Sequence, residues 1–148
     1  MKQNTQLAEI QVSYSPHILE DYQITSNRKA YELLLENWDE NTLQMQEEVK
    51  VLLLNRNNKV LGIYPLAKGG MTECTIDIRL ILSVALKTLA TGIILAHNHP
   101  AGSLKPSTDD LKLTKKLKES CKLFDIILLD HLILAKIGYY SFAEEGLL

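Results

Sequence analysis

Residues 92–100 of this 148-residue chain read Gly-Ile-Ile-Leu-Ala-His-Asn-His-Pro. Gly92 opens a continuous apolar run, Ile93 to Ala96, of the kind found in strands buried on both faces. A chain organised around such a strand needs a sheet covered by helices. In extended backbone, residues two apart point to the same side, so His97 and His99 project together from the strand's end. Pro100 stops the strand just beyond them.

The rest of the chain supplies the covering layers. The first 25 residues have weak periodicity and contain Pro16, so they read as an arm with room for one strand. Residues 26–148 read as a single domain. Ser26 is an N-cap signal for a helix over Asn27 to Trp38, with Ala30, Leu33, Leu34 and Trp38 at helical spacing. Glu48 to Asn55 and Lys59 to Pro65 read as a hairpin turned at Asn57-Asn58, and Gly69-Gly70 marks a loop. Ile76 to Leu89 fits a buried helix through Ile76, Leu80, Val84 and Leu86. Ser107 caps a further helix running to about Cys121, with Asp109 and Asp110 in its first turn. Ile126 to Leu129 and Leu132 to Ala135 are two strand candidates, and Gly138 turns the chain into Tyr139 to Phe142. The order α-β-β-α-β-α-β-β predicts a mixed α/β (α+β) domain.

Composition narrows the function. With 46% hydrophobic and 23% charged residues, neither disorder nor a fibre describes the chain. No apolar run approaches the roughly 18 residues of a membrane-spanning helix. The start, Met-Lys-Gln-Asn-Thr-Gln, lacks the apolar core of a signal peptide, so the expectation is a cytoplasmic protein without a membrane partner. Cys74 and Cys121 are then reduced thiols acting as small apolar residues. A net charge of −2 argues against a protein built mainly to grip nucleic acid. Lys112, Lys115, Lys116, Lys118 and Lys122 nevertheless oppose only Glu119, a local basic face whose plain reading is a solvated helix surface.

One constellation carries chemistry. The loop from Pro100 to Pro106 brings the chain round to a helix whose first turn holds Asp110. Asp110 shares a helix face with Thr114, Leu117 and Cys121, the core-facing side, where a carboxylate is costly unless compensated. Two imidazoles and a carboxylate form a ligand set suited to Zn²⁺ with an open fourth position, the catalytic arrangement. That position holds a water whose pKa the metal lowers, and a nearby carboxylate is the usual base.

His97-Asn98-His99-Pro100 followed by Ser107-x-x-Asp110 resembles the signature of the JAMM (MPN-positive) metalloproteases. Together with Ala101-Gly102, Pro106, Thr114, Leu129-Asp130-His131 and Tyr140-Ser141-Phe142, it resembles more closely the RadC family's version of that domain, over about residues 26–146. The resemblance implies an MPN/JAB-like mixed β-sheet sandwiched by helices, with cytidine-deaminase-like layering. It implies His97, His99 and Asp110 as zinc ligands and Ser107 as a stabiliser of the tetrahedral intermediate. It also implies a general-base Glu directly before a strand. Glu47 and Glu48 would face opposite sides of that strand, so only one can reach the metal; Glu48, ahead of Val49 to Leu54, fits best. Asp130-His131 lies between apolar runs and reads as structural, with His131 hydrogen-bonded at a strand junction.

The implied activity is that of a zinc-dependent metallohydrolase, peptidase or isopeptidase-like, acting on a peptide or protein substrate. The rival is a RadC-like, nucleic-acid-associated binding module in DNA repair, without peptidase activity, that docks through the basic helix 107–122. RadC proteins usually carry an N-terminal helix-hairpin-helix domain, for which these 148 residues leave no room, and that weakens the DNA reading. After Gly102 the loop reads Ser103-Leu104-Lys105 where the family tends to Asp-Pro-Thr, so specificity at its border is expected to differ. A homodimer through an edge strand stays open.

Overall fold

The strand that opens at Gly92 is the centre of the molecule. In the structure, a computed structural model that describes residues 8–16, 22–69 and 75–148, it spans Gly92–Asn98 and every one of its residues is buried. The elements in chain order are α1 (Asn27–Glu36), β1 (Glu48–Leu54), β2 (Val60–Lys68), α2 (Ile78–Lys87), β3 (Gly92–Asn98), α3 (Thr108–Lys122), β4 (Ile127–Ala135) and β5 (Gly138–Ser141). They form one sheet of order β2-β1-β3-β4-β5. The β3–β4 pair is parallel and connected through α3; the other pairs are antiparallel.

Strand alternation sorts the core into two layers. Leu52, Leu54, Ile94, Ala96, Leu132 and Leu134 pack against Ala30, Tyr31 and Leu34 of α1. Val49, Val51, Leu53, Ile93 and Leu95 pack on the other face against Ile81 and Ala85 of α2 and Leu117 and Cys121 of α3. Each buried leucine or isoleucine contributes roughly 1.5–3 kcal/mol. The result is the expected mixed sheet sandwiched by helices. No helix among the described residues is long and apolar enough to cross a membrane.

Three local readings change. The stretch from Ile126 to Ala135 is not two strands. β4 runs unbroken through Asp130 and His131, both fully buried, because partners on other elements satisfy their polar groups. The second strand of the hairpin continues past Pro65 to Lys68; β2 is an edge strand, where a residue without an N–H is tolerated. On α2 the buried positions are Ile81 and Ala85, whereas Leu80 and Leu86 are 46% and 45% exposed. That helix is apolar nearly all round, so spacing alone does not select its face, and the small Ala85 lies against the sheet. The hairpin turn falls at Asn57-Asn58 as expected, with Asn58 at φ 57, a left-handed conformation that asparagine tolerates.

The described part of the arm has no regular element. The Tyr14 hydroxyl donates to the Leu61 carbonyl (2.8 Å), and Gln23 forms an isolated bridge with Lys59, so the arm rests on β2. Cys74, Gly70, His17 and the remainder of the arm fall outside the described residues.

Candidate metal centre

β3 carries His97 to the carboxyl-terminal edge of the sheet, next to β1 on one side and β4 on the other. The ladder extends one residue further, with the His99 N–H donating to the Leu134 carbonyl (3.2 Å). His97 and His99 therefore keep the two-residue alternation and face α3 together. Their Nε2 atoms lie 2.9 Å apart. Across from them, Ser107 caps α3 in a reciprocal box: its Oγ accepts from the Asp110 N–H (3.0 Å), and Asp110 Oδ2 accepts from the Ser107 N–H (2.8 Å). The box fixes the Asp110 carboxylate so that Oδ1 lies 3.4 Å from His97 Nε2 and Oδ2 lies 3.4 Å from His99 Nε2.

The donor set fits a metal ion. His99 Nδ1 lies 2.7 Å from the Ser103 carbonyl, to which it must donate, and His97 Nδ1 lies 2.8 Å from His131 Nε2. With both Nδ1 atoms engaged, the two Nε2 atoms and a carboxylate oxygen are the atoms left, and they converge within 4.8 Å of one another. Ligand atoms about 2.0–2.1 Å from a tetrahedral ion would stand about 3.3 Å apart; each Nε2 is 3.4 Å from one carboxylate oxygen, and the two Nε2 atoms, 2.9 Å apart, would have to part by a few tenths of an ångström. Without a cation, two imidazole lone pairs would face each other unless a proton sat between them. Electrostatics agree. The hydrogen bond to Asp110 raises the His99 pKa against the effect of burial, with smaller help from the Ser103 carbonyl and the charges of Asp110 and Glu47. Burial pushes the Asp110 pKa up, but the two imidazoles overcome it and hold the carboxyl well below the usual range.

The structure separates the two candidate glutamates. Val49 pairs with His97 across the β1–β3 ladder, so both lie on the α3 face and Glu48 lies on the other. Glu48 is 3% exposed; its Oε1 accepts from the Thr42 hydroxyl (2.9 Å) and stands 3.7 Å from Lys68 Nζ. It is not brought to His97, His99 and Asp110. The residue directly before the strand is Glu47, because β1 begins at Glu48. The Gly69 N–H donates to the Glu47 carbonyl (2.9 Å), continuing the β1–β2 ladder one step, so alternation puts half-buried Glu47 on the face of Val49 and His97. The two glutamates are neighbours at the strand start, and the β1–β3 register decides which of them lies on the His97 face.

Two residues matter here that the sequence reading passed over or took as scaffold. Asn98, fully buried on the face opposite His97, donates to the Leu43 and Gln46 carbonyls (2.7 and 2.9 Å) and accepts from the Glu48 N–H (2.7 Å). It thus clamps the backbone on both sides of Glu47. His131 is the buried neighbour of His97 rather than part of a junction. In the sequence it stood out as a histidine inside an otherwise apolar run and as part of the Leu129-Asp130-His131 motif, with nothing to connect it to His97.

A helix-covered mixed sheet with a His-x-His pair at the end of its central strand, and an aspartate in the first turn of the helix that follows, defines a domain with a three-residue group at a strand end that could hold a metal ion. The chain belongs to the RadC-like JAB domain family, whose model matches residues 24–147. It is 42% identical over 130 residues to a UPF0758 protein of Flavobacterium johnsoniae, covering 88% of this chain and 56% of that one. It is 47% identical over 104 residues to a UPF0758 protein of Porphyromonas gingivalis, covering 70% of this chain and 46% of that one. A UPF0758 protein of Aquifex aeolicus is 40% identical over 125 residues, covering 84% and 52%. The chain thus spans about half the length of these relatives.

Proposed function

We propose that this domain is a zinc-dependent hydrolase of amide bonds, peptide or isopeptide. The observation that carries the reading is the convergence of two unspent imidazole nitrogens and a carboxylate, each already oriented by a second hydrogen bond. Nitrogen and carboxylate donors in a set of three suit zinc with one position left for substrate. His97, His99 and Asp110 would hold the zinc, which would supply Lewis acidity toward a water and a carbonyl. Glu47 takes the water's proton and hands it to the leaving nitrogen, a role supported by its place on the His97 face and its electrostatic reach to His99. The Ser107 oxygen accepts from the Asp110 N–H, which leaves its own O–H to donate to the developing oxyanion. Such donors contribute roughly 2.7–4 kcal/mol in other enzymes.

The test is incubation of the zinc-loaded protein with a pool of unstructured peptides and lysine-branched isopeptides, with new termini read by mass spectrometry. Cleavage that disappears in Glu47→Gln while zinc content is retained supports the reading. A pool left intact by the zinc-loaded wild type counts against it.

A second reading has its own observation. Lys112, Lys115, Lys116, Lys118 and Lys122 are all exposed on α3, opposite the buried Thr114, Leu117 and Cys121. Docking of nucleic acid there would show as affinity that falls steeply with salt and is lost when Lys112, Lys115 and Lys116 are changed to Ala.

A further inference from the structure

We infer that Thr114 and His131 are positioning residues that dictate the tautomer of His97, and so make its Nε2 the ligating atom. The inference rests on the metal reading and concerns residues outside the ligand set.

The proton directions can be read along the chain of contacts. Thr114 lies on the buried face of α3, 2% exposed, with its Oγ1 2.7 Å from the Asp110 carbonyl oxygen. A carbonyl only accepts, so the hydroxyl proton points there. The same Oγ1 lies 2.6 Å from His131 Nδ1. Its one proton is spent, so it can only accept, and His131 carries its proton on Nδ1. His131 is fully buried and stacked on Phe142 with ring centroids 4.5 Å apart, an apolar setting that disfavours a charged ring. The ring is neutral, and its Nε2 is a bare acceptor. His97 Nδ1, 2.8 Å away, must then donate. A neutral His97 protonated on Nδ1 has its lone pair on Nε2, the atom that faces Asp110 and His99.

The relay starts and ends on one residue. The backbone carbonyl of Asp110 sets the direction of every proton, and the Asp110 carboxylate joins the ligand set those protons prepare. If α3 is seated, His97 presents the correct atom. Remove the Thr114 hydroxyl and the Nδ1–H of His131 loses its acceptor. The ring is then free to move its proton to Nε2 and donate to His97 Nδ1. His97 would carry its own proton on Nε2, where it blocks ligation. Partners of this kind typically change metal affinity by 10–100-fold.

Thr114→Val keeps the β-branched shape in a buried position beside Leu117 and Cys121, whereas Thr114→Ser keeps the hydroxyl. Two measurements on wild type and both variants test the relay: zinc affinity by competition with a chelator, and ¹⁵N shifts of the His97 ring in metal-free protein above the histidine titration range. The expected result is a 10–100-fold loss of zinc affinity in Thr114→Val, with His97 switched to the Nε2–H tautomer and near wild-type behaviour in Thr114→Ser. A folded Thr114→Val with wild-type affinity and an unchanged His97 tautomer would overturn the inference. Absence of zinc binding in the wild type would instead overturn the metal reading, while the metal-free ring shifts still decide on the relay.

Discussion

Asp130 and His131 are neighbours on β4, and alternation sends them to opposite faces of the sheet, into two different polar clusters. Asp130 is satisfied within the chain. Its Oδ1 accepts from the N–H groups of His131 (2.7 Å) and Ala143 (3.0 Å), and its Oδ2 accepts from the Ser141 hydroxyl. Ser141 in turn accepts from the Glu144 N–H (3.1 Å), so the cluster ties the last turn of the chain to the sheet and closes on itself. The His131 cluster does not close. It passes through His97 and stops at nitrogen and oxygen atoms that aim at a common point. Both clusters are buried and polar, so burial of polar groups does not mark a site. What marks it is hydrogen-bonding capacity left unspent and convergent. At the start of β1 the same alternation separates two glutamates: Glu48 is held by Thr42 and Lys68 on one face, and Glu47 lies on the face of Val49 and His97.

The sharpest way to break this contrast is to neutralise each glutamate in turn. Glu47→Gln should lower the cleavage rate by roughly 10²–10⁴-fold with zinc content unchanged, the usual contribution of a general base. Glu48→Gln should leave the rate within a few-fold of wild type, because an amide oxygen still accepts from Thr42. Equal losses in the two variants would show that the strand faces do not separate their roles.

Next in size is the removal of the closed cluster. Asp130→Ala leaves a buried and a part-buried backbone N–H and a buried hydroxyl without their acceptor, a cost on the order of 3 kcal/mol in denaturant unfolding. Zinc affinity should not change. A drop like the one expected for Thr114→Val would mean that the two clusters work as one.

A smaller effect separates charge from hydrogen bonding. Burial raises the Asp130 pKa, with partial relief from Ser141 and the Ala143 and His131 N–H groups. A carboxyl whose folded pKa lies above its unfolded value near 3.9 adds stability below that value, and the contribution is lost as pH rises through the folded pKa. Asp130→Asn removes that dependence, so the variant should compare better with wild type at pH 7 than at pH 3.5. The reverse trend in urea midpoints would show that the ionised carboxylate is preferred in the fold. The smallest effect is chemical: burial pushes the Cys121 thiol up to about 11, so it should resist alkylation at pH 8 in the folded protein and react only after unfolding.

The legible parts of the molecule were those written in local rules. His97 and His99 sharing a side needs only the two-residue repeat of a strand. Asp110 beside Thr114, Leu117 and Cys121 needs only the helical repeat, and Ser107 as a cap needs only its neighbours. The illegible parts depended on partners far along the chain. Nothing near Asp130 or His131 announces Ser141 or Thr114, so a polar pair inside an apolar run looked like a break between strands. The glutamates are a different case: neighbours on one strand face opposite sides, and the side that meets His97 is set by the pairing of β1 with β3, which no local pattern carries. On α2 an apolar surface all round left the buried face undetermined until Ala85 was seen against the sheet.

Under the proposed function, His97, His99 and Asp110 hold one zinc ion. Elemental analysis of protein purified without added metal, wild type beside Asp110→Ala, tests it directly. About one zinc per chain in the wild type and close to none in the folded variant is the predicted result. Equal metal content in both, or a wild type that takes up no zinc even when it is supplied, would contradict it.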